Sequence, residues 1–171
     1  MDHRDIARNG LDEYLTGLKR AVDGLTPVEI YWQPSPNANH IAWLVWHMAR
    51  VEDSWYNRYI GEGESVWTSD GFDTRFRLPA ERGGYGDTAE DVAEFPPLSM
   101  AELLEYFGAV RSKALTNLEA ITAEDLERSR DAGNRDDPPP VARVISHVHV
   151  EQGQHLGQIS YLRGMLRGLG N

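Results

Sequence analysis

The sequence predicts an all-α fold, a four-helix bundle with a long connection between the second and third helices. Three observations predict it. Four long segments repeat apolar residues at spacings of three and four, as a helix with one buried face does. No stretch sustains the alternation of a strand. Start and stop signals bracket the four segments, and an aperiodic, Gly-rich stretch divides the middle pair. A chain of 171 residues fits one domain with its own core, so 1–171 reads as a single domain.

Residues 2–24 make the first helix, with Leu11, Tyr14, Leu15, Leu18, Val22 and Leu25 on one face and a stop near Gly24. Thr26-Pro27-Val28-Glu29 is a start signal, with Thr as N-cap, Pro at N1 and Glu at N3. Pro34 and Pro36 limit that piece to a turn or two. The second long helix spans about 39–60 with Asn37 or Asn39 as cap, a core face of Ile41, Leu44, Val45, Met48, Trp55 and Tyr59, and a stop at Gly61 and Gly63. Residues 61–97 show no sustained periodicity. Thr88 with Asp91 resembles a capping box and opens a short helix to Glu94. A connection this long is a functional lid or a tolerated insertion, and its length also lets it join two helices that run parallel. Ser99-Met-Ala-Glu102 caps a third helix to about 121, carrying Leu103, Phe107, Val110, Ala114, Leu118 and Ile121. Thr122 to Asp125 starts a short turn, and Asp131 to Pro140 is a polar, Pro-rich loop. The fourth helix runs from about 140 to 167 and stops at Gly168 and Gly170.

The totals exclude several classes of function. A net charge of -10 argues against a nucleic-acid surface or an anionic membrane, both of which need clustered Lys and Arg. No apolar run is long enough to span a bilayer, and the N-terminus lacks a signal-peptide pattern, so the expected location is cytoplasmic. The sequence has no cysteine, which rules out disulfides, thiolate ligands and a protein thiol nucleophile. Any metal must be held by His, Asp or Glu, and any thiol chemistry must use a thiol from solution.

The chemistry gathers on the fourth helix. Val141, Val144, Val148, Ile159, Leu162 and Leu166 form a stripe whose continuation lands on Glu151 and His155. A carboxylate and an imidazole therefore stand where Leu or Val is expected, and a buried charge needs a partner. Four apart on a helix, both side chains reach one ion. The pair needs a third ligand from elsewhere. His47, mid-helix among apolar neighbours on another helix, is the candidate. Two imidazoles and a carboxylate suit a divalent Zn, Ni or Fe ion and leave a position open, the pattern of a catalytic rather than a structural site. A buried ion pair for Glu151 and a carbonyl-bonded core histidine at 155 are the plainer alternatives. His147 and His149 diverge by about 200° and cannot share an ion. His147, four before Glu151, is a supporting or substitute ligand, whereas His149 faces solvent or another surface. His40 could line a cavity. Gln154 and Gln158 either orient a ligand, meet substrate or are ordinary surface residues.

Two segments, Ile41-Ala-Trp-Leu-Val-Trp-His47-Met-Ala-Arg-Val-Glu-Asp53 and Glu151-Gln-Gly-Gln-His155-Leu-Gly-Gln-Ile159, resemble the DinB-like superfamily. The resemblance implies a four-helix bundle with a metal site near one end, bound by a histidine of the second helix and a His-x-x-x-His pair of the fourth. Glu151 at the first position of that pair departs from the commonest pattern and is similar to the mycothiol-dependent branch. By position, His47, Glu151 and His155 are then the ligands of a divalent metal. Such a protein would activate a low-molecular-weight thiol for transfer to, or isomerisation of, a small-molecule substrate. The same ligands suit a hydrolase using metal-bound water. A non-catalytic binding or stress protein is the reading without a metal, and the aromatic content allows a homodimer.

Overall fold

The computed structural model describes residues 2–130 and 137–168. Its long helices are α1 (His3–Val22), α3 (Ile41–Glu52), α7 (Met100–Ala120) and α8 (Val141–Arg167). Short helices α2 (Pro27–Ile30), α4 (Val66–Ser69), α5 (Phe72–Phe76) and α6 (Ala89–Ala93) lie between them, and a 3₁₀ turn, Asp125–Glu127, precedes α8. No strand forms among the described residues, where only an isolated bridge joins Ser129 to Pro140. The bundle is thus all-α. Residues 131–136 of the expected polar loop and Gly170 of the expected stop lie outside the described residues.

Long-range pairs fix the topology. His149 meets Ala7 and Arg163 meets Ala21, so α1 and α8 run parallel. Arg50 meets Tyr106 and Asn57 meets Asn117, so α3 and α7 also run parallel. Gln152 on Met48 and Tyr59 on the Pro139 carbonyl set α8 antiparallel to α3. Arg4 on the Glu119 carbonyl and Arg111 on the Leu11 carbonyl set α7 antiparallel to α1. The 61–97 connection is therefore a crossover between parallel neighbours, as its length allows.

The capping boxes at Thr26, Thr88 and Ser99 form as expected, each hydroxyl accepting from the N3 amide while the N3 carboxylate accepts from the cap amide. The cap of α3 is a correction. It is His40, whose Nδ1 accepts from the Trp43 amide at 3.1 Å, rather than Asn37 or Asn39. The sequence hides this because His is a rare cap. Here its Nε2–H also donates to the Val92 carbonyl at 3.2 Å, so burial leaves neither ring nitrogen unpaired. Burial lowers the pKa of this imidazole to about 4, which keeps it neutral.

Every residue from Ile41 to Glu52 is buried, the polar His47, Arg50 and Glu52 included, because α3 lies at the centre. Beyond Glu52 the helix widens into π-type turns over Asp53–Ile60 and closes with Gly61 N–H donating to the Tyr56 carbonyl at 3.0 Å. Two carboxylates share this central helix. Glu52 takes a two-pronged bond from Arg111, Nε to Oε1 at 2.7 Å and Nη2 to Oε2 at 2.9 Å, plus the Tyr14 hydroxyl. Asp53 accepts the amides of Val66 and Trp67 at 2.9 and 2.8 Å, together with Asn57 and the Tyr106 hydroxyl.

The Asp53 bonds explain residues 61–97. Rather than a structureless stretch, the segment holds α4, α5 and α6 and buries Trp67, Phe72, Phe76, Leu78, Val92 and Phe95, with Trp67 and Phe95 on Trp46 of α3 and Phe72 and Phe76 on Tyr106 of α7. Elements of four or five residues are too short to show a period, so only the Thr88 capping box before α6 signals a helix there. Arg50 ties the later part down, donating from Nε to the Arg82 carbonyl at 3.0 Å while its guanidinium lies 4.8 Å above the Trp67 ring. This strap is what brings Gly83 and Gly84 over α3.

Candidate metal centre

His47 projects from the middle of α3 towards α8 and is 7% exposed. Its ring stacks on Trp43 at 4.8 Å with 14° between planes. Its Nδ1 lies 2.7 Å from the Gly83 carbonyl, which can only accept, so Nδ1 carries the proton and Nε2 keeps its lone pair. Burial lowers its pKa to about 4, so the ring is neutral near pH 7. Gly84 makes this contact feasible. A Cβ there would sit 2.5 Å from His47 Nδ1, 3.0 Å from Trp43 and 3.1 Å from Trp46, and its φ of +87° disfavours any L side chain.

The other two groups stand one turn apart on α8. His155 Nδ1 lies 3.1 Å from Gln158 Oε1, which again leaves Nε2 free to bind. Glu151 Oε1 is 3.9 Å from His47 Nε2 and 4.0 Å from His155 Nε2. Its other oxygen, Oε2, is 3.0 Å from Nε2 of the exposed His147. The His47 and His155 rings meet edge-on at 4.9 Å.

Among the described residues, His47, Glu151 and His155 form the one group of this kind, with donor atoms all within 4.8 Å of one another. Bonds of about 2.0–2.2 Å in a tetrahedron place ligand atoms about 3.3–3.5 Å apart, so closing round an ion needs the two Glu–His pairs to contract by roughly half an ångström and the His–His pair by up to about 1.5 Å. The donor set, two imidazoles and a carboxylate, fits a divalent cation. A cavity of about 410 Å³ opens beside the group, lined also by Gly84, Tyr85, Gly86, His147, Val150 and Gln154. That is room for a small molecule.

The stripe along α8 turns slightly from its expected phase. Val141, Val144, Val148, Ile159 and Leu162 are buried as expected, but the core position in the gap is Gln152, fully buried with its amide nitrogen 2.8 Å from the Met48 carbonyl. Glu151 and His155 stand at the edge of the core, their side chains 22% and 15% exposed. That position suits groups facing both a protein wall and an open cavity. His149 does not face solvent. It packs against α1, with its ring over Gly10 and its nitrogens 2.7 Å from the Ile145 carbonyl and 3.0 Å from the Ala7 carbonyl. His147 lies against Glu151, and of the two glutamines Gln158 bonds His155 while Gln154 lines the cavity. Sequence reasoning did not single out Gly84, Tyr85 or Val150. Gly83-Gly84-Tyr85-Gly86 was the available signal.

The DinB superfamily family model matches residues 11–159, which span all three residues of the centre. The chain belongs to the DinB superfamily. None of the curated proteins matches it. Among solved structures, a conserved protein from Enterococcus faecalis superposes with a TM-score of 0.86 at 23% identity, over 98% of this chain and 99% of that one. That likeness shows the shared fold of this DinB superfamily chain. Among the described residues no helix is long and apolar enough to cross a membrane.

Proposed function

We propose that this DinB superfamily protein binds one divalent metal, Zn, Ni or Fe, through His47, Glu151 and His155. We further propose that it uses the metal to activate a low-molecular-weight thiol, of the mycothiol type, for S-transfer or isomerisation of a small electrophile. One observation carries the reading. Three donor atoms from two helices converge within 4.8 Å, and both imidazoles have their Nδ1 protons engaged elsewhere. A bound divalent ion would supply positive charge that stabilises a thiolate at neutral pH.

The chain's own residues supply the rest. Gly83 and Gln158 hold the two imidazoles in the tautomer that binds through Nε2. His147 holds Glu151 through Oε2, which leaves Oε1 towards the other two groups. The exposed ring of His147, on the cavity wall, gives the thiol proton a route to solvent. The buried stack of Trp43 behind His47 keeps water off that side of the centre. The nucleophile comes from the cosubstrate, consistent with a chain that has no cysteine.

The test is turnover of a generic electrophile by metal-loaded protein with mycothiol or bacillithiol, beside a His155→Ala control. Thiol-dependent turnover lost in the control is the expected result. Product formed without thiol would replace the proposal with metal-assisted hydrolysis. No turnover above control across several electrophiles would reject catalysis by this route.

A further inference from the structure

Tyr85 is fully exposed, at 101%, on the rim of the cavity beside the centre. Opposite it on α8 is Val150, 60% exposed and lining the same cavity. Single exposed apolar residues are ordinary. What sets Tyr85 apart is how it is displayed.

The turn that carries it is built and pinned at both ends. The Asp87 amide donates to the Gly84 carbonyl at 3.3 Å, closing a four-residue turn with Tyr85 and Gly86 at its corners. Gly86 has a φ of +83°, which a type II turn requires at its third residue. Arg82 and Asp87, on either side, are joined at 2.7 Å, and Asp87 also accepts from the Trp43 indole at 2.9 Å. On the inner side, Gly84 lies directly against His47. Tyr85 thus lines the cavity from a turn whose base is tied to the centre itself.

The cavity therefore has a polar floor, His47, Glu151 and His155, and an apolar rim on two sides, Tyr85 and Val150. We infer that Tyr85 and Val150 form a clamp for a flat apolar group, so that the site selects small molecules with a polar reacting end and an aryl or similar apolar end. The inference rests on the metal-centre reading and adds to it the class of substrate. Tyr85 acts as a specificity-determining residue that contacts substrate from this pinned turn.

The experiment titrates imidazole and 4-phenylimidazole into the cobalt-loaded full chain and follows the cobalt visible absorption. Both probes offer the same nitrogen to the metal and differ only by a phenyl group. In the parent, the phenyl group should tighten binding about tenfold, equivalent to about 1.4 kcal/mol. In Tyr85→Ala that increment should vanish while imidazole itself binds as before, and Val150→Ser should lose part of it. Tyr161→Ala, which removes another exposed aromatic of α8, should leave the increment intact. No phenyl increment in the parent, or one that survives Tyr85→Ala, overturns the clamp and leaves the metal centre standing. No cobalt absorption at all overturns the metal centre and the clamp with it.

Discussion

Adding a single methyl group at Gly84 tests the link between the strap and the metal centre. In Gly84→Ala the new Cβ has to sit 2.5 Å from His47 Nδ1 and about as close as contact allows to two tryptophan rings, at 3.0 and 3.1 Å. Those rings are buried in the core and cannot withdraw. Overpacking of this kind costs about 1–3 kcal/mol. A φ of +87° adds about 1–2 kcal/mol for any L side chain. The sum is roughly 2–5 kcal/mol. Gly71 is the matched control, because it has a φ of +72° with nothing within 4 Å of its Cβ, so Gly71→Ala carries only the backbone part. Urea unfolding followed by circular dichroism, with equal m-values, gives both numbers. For a chain of this length each kcal/mol corresponds to about 2–4 °C in Tm. Gly84→Ala should also push His47 off the Gly83 carbonyl and weaken metal binding by about 10–100-fold, whereas Gly71→Ala should not. If the two variants agree within about 0.5 kcal/mol and bind metal equally, the strap does not position His47 and the reasoning fails.

Glu52→Gln removes the charge that the buried Arg111 needs, and should cost about 3–5 kcal/mol in urea unfolding. Gln158→Ala removes the acceptor for His155 Nδ1–H on an exposed surface, so it should weaken metal affinity by about 10–100-fold while leaving Tm nearly unchanged, as calorimetry would show. His40 gives a pH dependence. Its folded pKa of about 4 lies below the ordinary 6.5, so between these values the unfolded chain binds a proton that the folded chain refuses. Stability contributed by the neutral ring is therefore present above about pH 6.5 and lost as pH falls towards 4, by on the order of 1–3 kcal/mol. His40→Asn keeps an N-cap acceptor and should make that part of the stability–pH curve shallower, the His47 share remaining, while an unchanged slope would contradict the assignment.

Much of the fold was legible because it rests on local chemistry. Capping boxes at Thr26, Thr88 and Ser99 and apolar stripes on α1, α7 and α8 are short-range signals, and the structure keeps them. Glu151 and His155 were legible for a related reason, as polar groups beside an apolar stripe, although the core position in its gap is Gln152. What escaped was long-range. Residues 61–97 gain their order from Asp53 and Arg50, whose bonds to Val66, Trp67 and Arg82 no window of sequence contains. The strap also covers the second side of α3, which is why Trp43, Trp46 and Arg50 are buried alongside the expected core face. His40 capped α3 only because Val92 arrives from 52 residues away to satisfy its other nitrogen. Gln152 took the core position beside Glu151 because the Met48 carbonyl lies opposite, a fact about α3 that the pattern of α8 cannot carry.

The most direct test is metal content by mass spectrometry on protein purified without an affinity tag, beside His47→Ala, Glu151→Ala and His155→Ala. The convergence of the three side chains predicts close to one equivalent of a divalent metal in the parent and its loss in each variant. No metal in the parent after reconstitution and dialysis, or full retention in the variants, would contradict the centre and leave Glu151 a carboxylate paired with His147 alone.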